Sequence, residues 1–348
     1  MAAAAVAARD ARGPGAPGPV ELRVTVEPPW PFRLGGGSAD GLMRRRGGAL
    51  QRLLHLRREA VLAAVVQPAP DRVVFAARAR TEAAAEEGIA RMRFATGVDD
   101  DLRPFYDLFR RDPVIGPTVR RLPHLRVRRR PVPWEALAGA LTEQLIEFER
   151  ALAIQRRLIA ALGPRCAATG LRDYPAPAAV AAAAPARLAA LDLAPGRAVA
   201  LRRAAREVAA GRADLDGAMG APGATGRAEA VARRLRAIPG VGPWTVEILA
   251  LYGLGRHDVV AGGDLGYLKM VGRLLTGRPY ARAQEHEVRA FFEPYGAWKG
   301  LAGEYLRWGW ARGLVPARVS RRAPRRPDPA PRRAGTRSSA PPPRSAAA

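Results

Sequence analysis

The chain has 348 residues, 48% of them hydrophobic, enough for two or three compact units with cores of their own. Its single cysteine excludes a disulfide framework, a four-cysteine zinc site and a four-cysteine iron–sulfur cluster, and four scattered histidines argue against a histidine metal site. Of the formal charge of +25, +8 belongs to the segment from Pro316 onward, with nine arginines against Asp328; the remaining +17 favours a polyanionic partner.

Nucleic acid leads among polyanions, but charge does not separate DNA from RNA or from a membrane surface. Only Lys269 and Lys299 are lysine among the 57 basic residues, so the arginine excess reflects a compositional bias as much as a binding face. No run of about 18 apolar residues exists, and the first twenty residues lack the leucine-rich core of a signal peptide. A reducing, intracellular setting is the expectation.

Residues 1–19 are Ala, Gly and Pro without periodicity and are expected to be disordered, as is the basic tail 316–348. From Val20 the stretch VELRVTV alternates apolar and polar residues, and PDRVVFAARA does so again. Between them, residues 39–67 suggest a helix together with another strand. A small α+β domain over 20–97 follows, with an antiparallel sheet.

Beyond Thr96 the period becomes helical, and an all-α bundle of eight or more short helices is expected over 98–315. The runs DDLRPFYDLFRRD, WEALAGALTEQLIEFERALAIQRRLIAAL, VAAAAPARLAAL, GRAVALRRAAREVAAG and GRAEAVARRLRAI carry apolar residues at three- and four-residue spacing. Gly116-Pro117, Pro175-Ala176-Pro177 and Ala221-Pro222-Gly223 punctuate them.

The most informative stretch is IPGVGPWTVEILALYGLGRHDVVAGGDLGYLK. A helix ending near Ala237 meets a turn at 238–242, and Pro243 suits the first position of the next helix. Gly240 and Gly242 allow a phosphate close to the main chain, and free amides at the helix start make an anion site. A two-glycine helix corner explains the same letters. Asp264 follows Gly262-Gly263 and opens another helix; it reads equally as an N-cap and as a carboxylate fixed in a cleft. Asp258 reads as a cap or an arginine partner.

This hairpin with its aspartate resembles the signature of helix-hairpin-helix base-excision DNA glycosylases, in the alkylbase branch named DNA-3-methyladenine glycosylase II. WPFRL at 30–34, MRFATGVDDDLRPFYDLFRRDPVIGP, ALTEQLIEFERALA and YPAPAAVAAAAPARLAALDLAPGRAVAL extend the resemblance over roughly 20–314. It implies a catalytic role for Asp264 and a base pocket with Trp244, Ile248, Trp30, Phe32, Arg307 and Trp308. DNA contacts would come from Gln144, Leu145, Arg236, Ile238, Gly240, Val241, Gly242 and Thr245. Leu145 would wedge into the gap left by an extruded nucleotide; its other reading is a core leucine. The carbonyls of Arg236, Ile238 and Val241 would be able to hold a monovalent cation.

Trp244 stands where lyase-type relatives carry a Schiff-base lysine, which implies a monofunctional enzyme. No cofactor is implied, and the partner would be damaged double-stranded DNA. A monomer without an obligatory protein partner or a membrane is expected, in a bacterial-type cytoplasm at the nucleoid. Three departures stand out: Ala261 replaces the proline of the Gly/Pro-Asp loop, and Ile248 and Arg307 replace pocket aromatics. They keep open an altered substrate range, such as deaminated purines, or a DNA-binding protein without catalysis. Tyr305, Trp308, Trp310 and Trp298 are available as compensating aromatics, or as packing for the last helix.

Overall fold

The computed structural model describes residues 18–144, 146–219 and 224–318. The expectation of disorder at the start and through most of the tail therefore lies outside the described residues, as does the wedge residue Leu145. Five antiparallel strands come first: β1 (Val20–Val26), β2 (Met43–Arg46), β3 (Ala49–Leu56), β4 (Glu59–Ala69) and β5 (Arg72–Ala79), in the order β1-β5-β4-β3-β2. Along β5 burial alternates strictly, so Val73, Phe75, Ala77 and Ala79 face inward against α1 (Glu82–Thr96). Thr81 caps that helix and Gly97, at φ 66°, ends it.

The helix expected within 39–67 is not there. Leu, Arg, Gln and Ala are good helix formers, but pairing of β3 with both neighbours overrides local propensity. The β2–β3 turn is Gly47-Gly48; the β3–β4 turn is Arg57-Arg58, both at positive φ (50° and 66°), which only the hairpin geometry explains. Glycine or asparagine would have announced that turn; arginine does not.

Twelve α-helices follow among the described residues: α2 (Arg103–Phe109), α3 (Gly116–Arg121), α4 (Pro133–Glu143), α5 (Phe148–Leu162), α6 (Pro177–Ala182), α7 (Pro185–Ala189), α8 (Pro195–Ala209), α9 (Ala224–Arg236), α10 (Pro243–Ile248), α11 (Leu265–Thr276), α12 (Glu285–Phe292) and α13 (Lys299–Trp310). Proline opens α4, α6, α7, α8 and α10, where its missing N–H leaves no bond unmade. The apolar run over 134–162 is two helices. It breaks at Gln144, whose ψ of 126° is not helical, and no glycine or proline marks the break.

Two cores fill the helical part. One gathers Trp134, Leu137, Leu141, Leu158, Leu201, Leu235 and Leu249; the other gathers Phe105, Phe109, Tyr267, Phe292, Tyr305 and Leu306. Tyr252 packs against both, from a π-helical turn at Leu249–Gly253 that prolongs α10. Such π turns recur at functional sites, and this one lies at the seam where the cleft opens.

Candidate active site

The hairpin between α9 and α10 is built from backbone constraints. Gly240 sits at φ 88°, and a Cβ there would come within 3.1 Å of the Ala200 methyl on α8, so both conformation and space demand glycine. The Gln144 amide crosses from the end of α4 and donates to the Gly240 carbonyl and to the Thr245 hydroxyl, each at 2.8 Å. Thr245 is buried, and so are Ile238 and Val241. Gln144 and Thr245 thus hold the hairpin's shape from inside, while Arg236 is exposed beside it. The Ile238 carbonyl already accepts the Val241 N–H at 2.9 Å and keeps one lone pair. Gly242 caps α10, whose first amides have no intrahelical partner.

Asp264 caps α11. Its Oδ1 accepts from Gly266 N at 2.9 Å and Tyr267 N at 3.3 Å, and from Arg307 Nη2 at 3.4 Å. All three bonds fall on Oδ1, so Oδ2 is left without a partner among the described residues, and the side chain remains 17% exposed. Capping and availability are therefore compatible: one oxygen anchors the carboxylate, the other is free to face a ligand. Gly266 makes the approach possible, because a Cβ there would stand 2.9 Å from Oδ1. Ala261 is buried, and its carbonyl accepts the Asp264 N–H at 2.9 Å, so the turn closes without the proline.

The carboxylate opens on a cleft of about 680 Å³, whose walls include Phe32, Trp244, Ile248, Arg307 and Trp308. Trp30 is not among them: its indole N–H donates to the Pro123 carbonyl at 2.7 Å and its ring packs on Tyr106. The other aromatics considered as substitutes also belong to packing. Tyr305 is buried with its hydroxyl on the Leu122 and Leu125 carbonyls, Trp298 packs edge-on to Phe105, and Trp310 lies under Arg273. Asp258 pairs with Arg256 at 2.6 Å, as an arginine partner.

Two aromatic faces near the carboxylate are already covered by guanidinium groups, Tyr267 by Arg307 at 4.7 Å and Trp308 by Arg312 at 4.4 Å. Trp244 carries no such cover among the described residues. Two cleft residues escaped the sequence reading. Glu143, at the end of α4, lines the cleft; burial pushes its carboxyl up and nearby Asp264 adds to that, against the Gln155 bond at 2.7 Å and the Arg130 and Arg307 cations. Phe148 opens α5 on the cleft rim and is 62% exposed. A phenylalanine facing water at a helix start was the available signal for the second.

No protein-family model matches the chain. A Mycobacterium tuberculosis protein described as a probable bifunctional transcriptional activator/DNA repair enzyme AlkA is 28% identical over 312 residues, which cover 87% of this chain and 60% of that protein. The chain thus spans well under the full length of that relative. Among solved structures, a 3-methyladenine DNA glycosylase from Archaeoglobus fulgidus aligns with a TM-score of 0.69 at 17% identity, over 84% of this chain and 100% of the other. MBOgg1 in complex with low affinity DNA ligand aligns at 0.65 and 18%, covering 87% and 98%. A Clostridium acetobutylicum 8-oxoguanine glycosylase/lyase aligns at 0.60 and 16%, covering 84% and 98%. The fold shared with these proteins is an N-terminal antiparallel sheet followed by a helix-hairpin-helix bundle.

Proposed function

We propose, from the helix-hairpin-helix glycosylase fold and the similarity to an AlkA-type repair protein, that the chain is a DNA glycosylase. It would hydrolyse the N-glycosidic bond of alkylated bases in duplex DNA and leave the strand intact. The observation that carries this reading is Asp264: a carboxylate anchored through one oxygen at a helix start, with the other oxygen open to a cleft beside the hairpin.

A base inside a duplex is out of reach, so the nucleotide must rotate outward, at a few kcal/mol of lost pairing and stacking. The hairpin amides would hold a backbone phosphate without reading sequence. Leu145 would fill the vacated gap, with exposed Phe148 one turn away on the rim. As the bond to the base lengthens, positive charge grows on the sugar; Asp264 Oδ2 would stabilise it and orient water. The open face of Trp244 would stack on the extruded base.

Strand cleavage by a lyase route needs an amine at the sugar. Lys269 is exposed on α11 and Lys299 pairs with Glu293 at 2.7 Å; neither lines the cleft. The test is a single-turnover assay on methylated duplex DNA. Released 3-methyladenine or 7-methylguanine with strand breaks only after alkali supports the reading. Borohydride-trapped protein–DNA adducts would overturn the monofunctional part, and no base release would overturn the whole.

A further inference from the structure

We infer that Glu143 and Arg307 form a base-reading pair that fits the cleft to uncharged damaged purines bearing a carbonyl acceptor. Arg307 would donate to the carbonyl, and the Glu143 carboxyl would protonate the departing ring. The inference rests on the glycosylase reading and names its substrate class.

Four observations carry it. Glu143 lines the same cleft as Asp264 and Arg307. Its Oε1 accepts from Gln155 Nε2 at 2.7 Å, so Oε2 is left without a partner among the described residues and available to hold a proton. Arg307 engages Asp264 only at 3.4 Å and Glu304 only at 3.9 Å, and its side chain is 40% exposed; its Nη1 has no partner among the described residues. The guanidinium groups over Tyr267 and Trp308 fill the faces that would attract a cationic base, and a guanidinium in the cleft repels one.

The chemistry requires this division of labour. A base alkylated at a ring nitrogen to a cation leaves as a neutral molecule, whereas an uncharged purine leaves as an anion unless it gains a proton. In the proposed step the C1′–N9 bond breaks and its electron pair goes to the purine. The Glu143 Oε2 proton moves to a ring nitrogen, so a neutral base departs. Water adds to C1′, and its proton passes to Asp264 and then to solvent; Glu143 is reprotonated from solvent. The groups facing Glu143 are Arg130, Gln155, Asp264 and Arg307, with the buried Tyr174 hydroxyl also nearby. Burial and Asp264 raise the carboxyl above its ordinary value, which keeps a larger protonated fraction near neutral pH.

The test compares duplexes carrying hypoxanthine, an uncharged purine with a carbonyl at C6, and 7-methylguanine, a cation. In single turnover, Glu143→Gln should lower the ratio of hypoxanthine to 7-methylguanine excision by about 100-fold, the scale of a lost general acid. The wild-type rate on hypoxanthine should fall as pH rises through the Glu143 pKa, and that limb should vanish in Glu143→Gln. Arg307→Leu should shift the same ratio toward 7-methylguanine. Equal losses on both bases, or release of the cationic base alone by wild type, would overturn the inference and leave the glycosylase reading standing. Release of neither base would sink that reading itself.

Discussion

Helix α4 carries a glutamate near each end, and the two sit in opposite kinds of ionic cluster. Glu135, in its first turn, is closed over by Arg52 from β3, which also meets Asp173 at 2.8 Å; Asp173 in turn accepts from the His55 backbone at 2.7 Å. Arg52 is fully buried and the two carboxylates nearly so. Glu143, in the last turn, shares its cluster with Asp264 and Arg307, which are bonded loosely and partly open to solvent. The residue types are alike. What differs is satisfaction and access: the first cluster fastens the sheet to the bundle, the second keeps an oxygen and a nitrogen unspent for a ligand.

Breaking each cluster should show that difference. Arg52→Met leaves Glu135 and Asp173 buried without their cation, and should cost about 3–5 kcal/mol of stability in denaturant unfolding. Arg307→Ala, whose loss is screened by solvent, should cost about 1 kcal/mol or less in the same experiment. Comparable losses would remove the distinction.

Gly266→Ala sharpens it from the other side. The added methyl would crowd Asp264 Oδ1 at 2.9 Å, so the carboxylate must shift while the helix persists. Excision should slow by roughly ten- to a hundredfold, since a misplacement on the order of 1 Å is worth that much, with a small change in melting temperature. An unaltered single-turnover rate would mean that the carboxylate's position is not critical.

A smaller effect is expected at the hairpin. Gln144→Ala removes the donor to Gly240 and Thr245, and at about 1 kcal/mol for the lost bonding the affinity for duplex DNA should drop about fivefold. Titration of labelled duplex measures it, and an unchanged affinity would mean that Gln144 does not hold the hairpin in its binding shape.

Legibility followed the strength of local grammar. Alternation announced β1 and β5, and the glycines and Pro243 announced the hairpin and the helix that Asp264 opens. Where long-range contacts decide, the letters were silent. Arg57-Arg58 turns a hairpin without a turn residue, and the helix break at Gln144 comes where that side chain is drawn to the hairpin rather than at a glycine. Trp30 looked like a pocket wall because of the segment it resembles, yet its indole N–H finds Pro123 and turns the ring into the core. Glu143 reads in sequence as a solvated helix end; only the fold places α13 and the start of α11 around it.

The central claim is that Asp264 acts on the sugar and does more than cap α11. The most direct measurement is single-turnover excision by Asp264→Asn on methylated duplex DNA, paired with its affinity for abasic-site DNA. Asparagine keeps an oxygen for the Gly266 and Tyr267 amides and is itself a good N-cap, so folding and DNA binding should persist while base release falls by at least about a hundredfold. Near-normal base release by this variant would contradict the account and leave Asp264 as a cap.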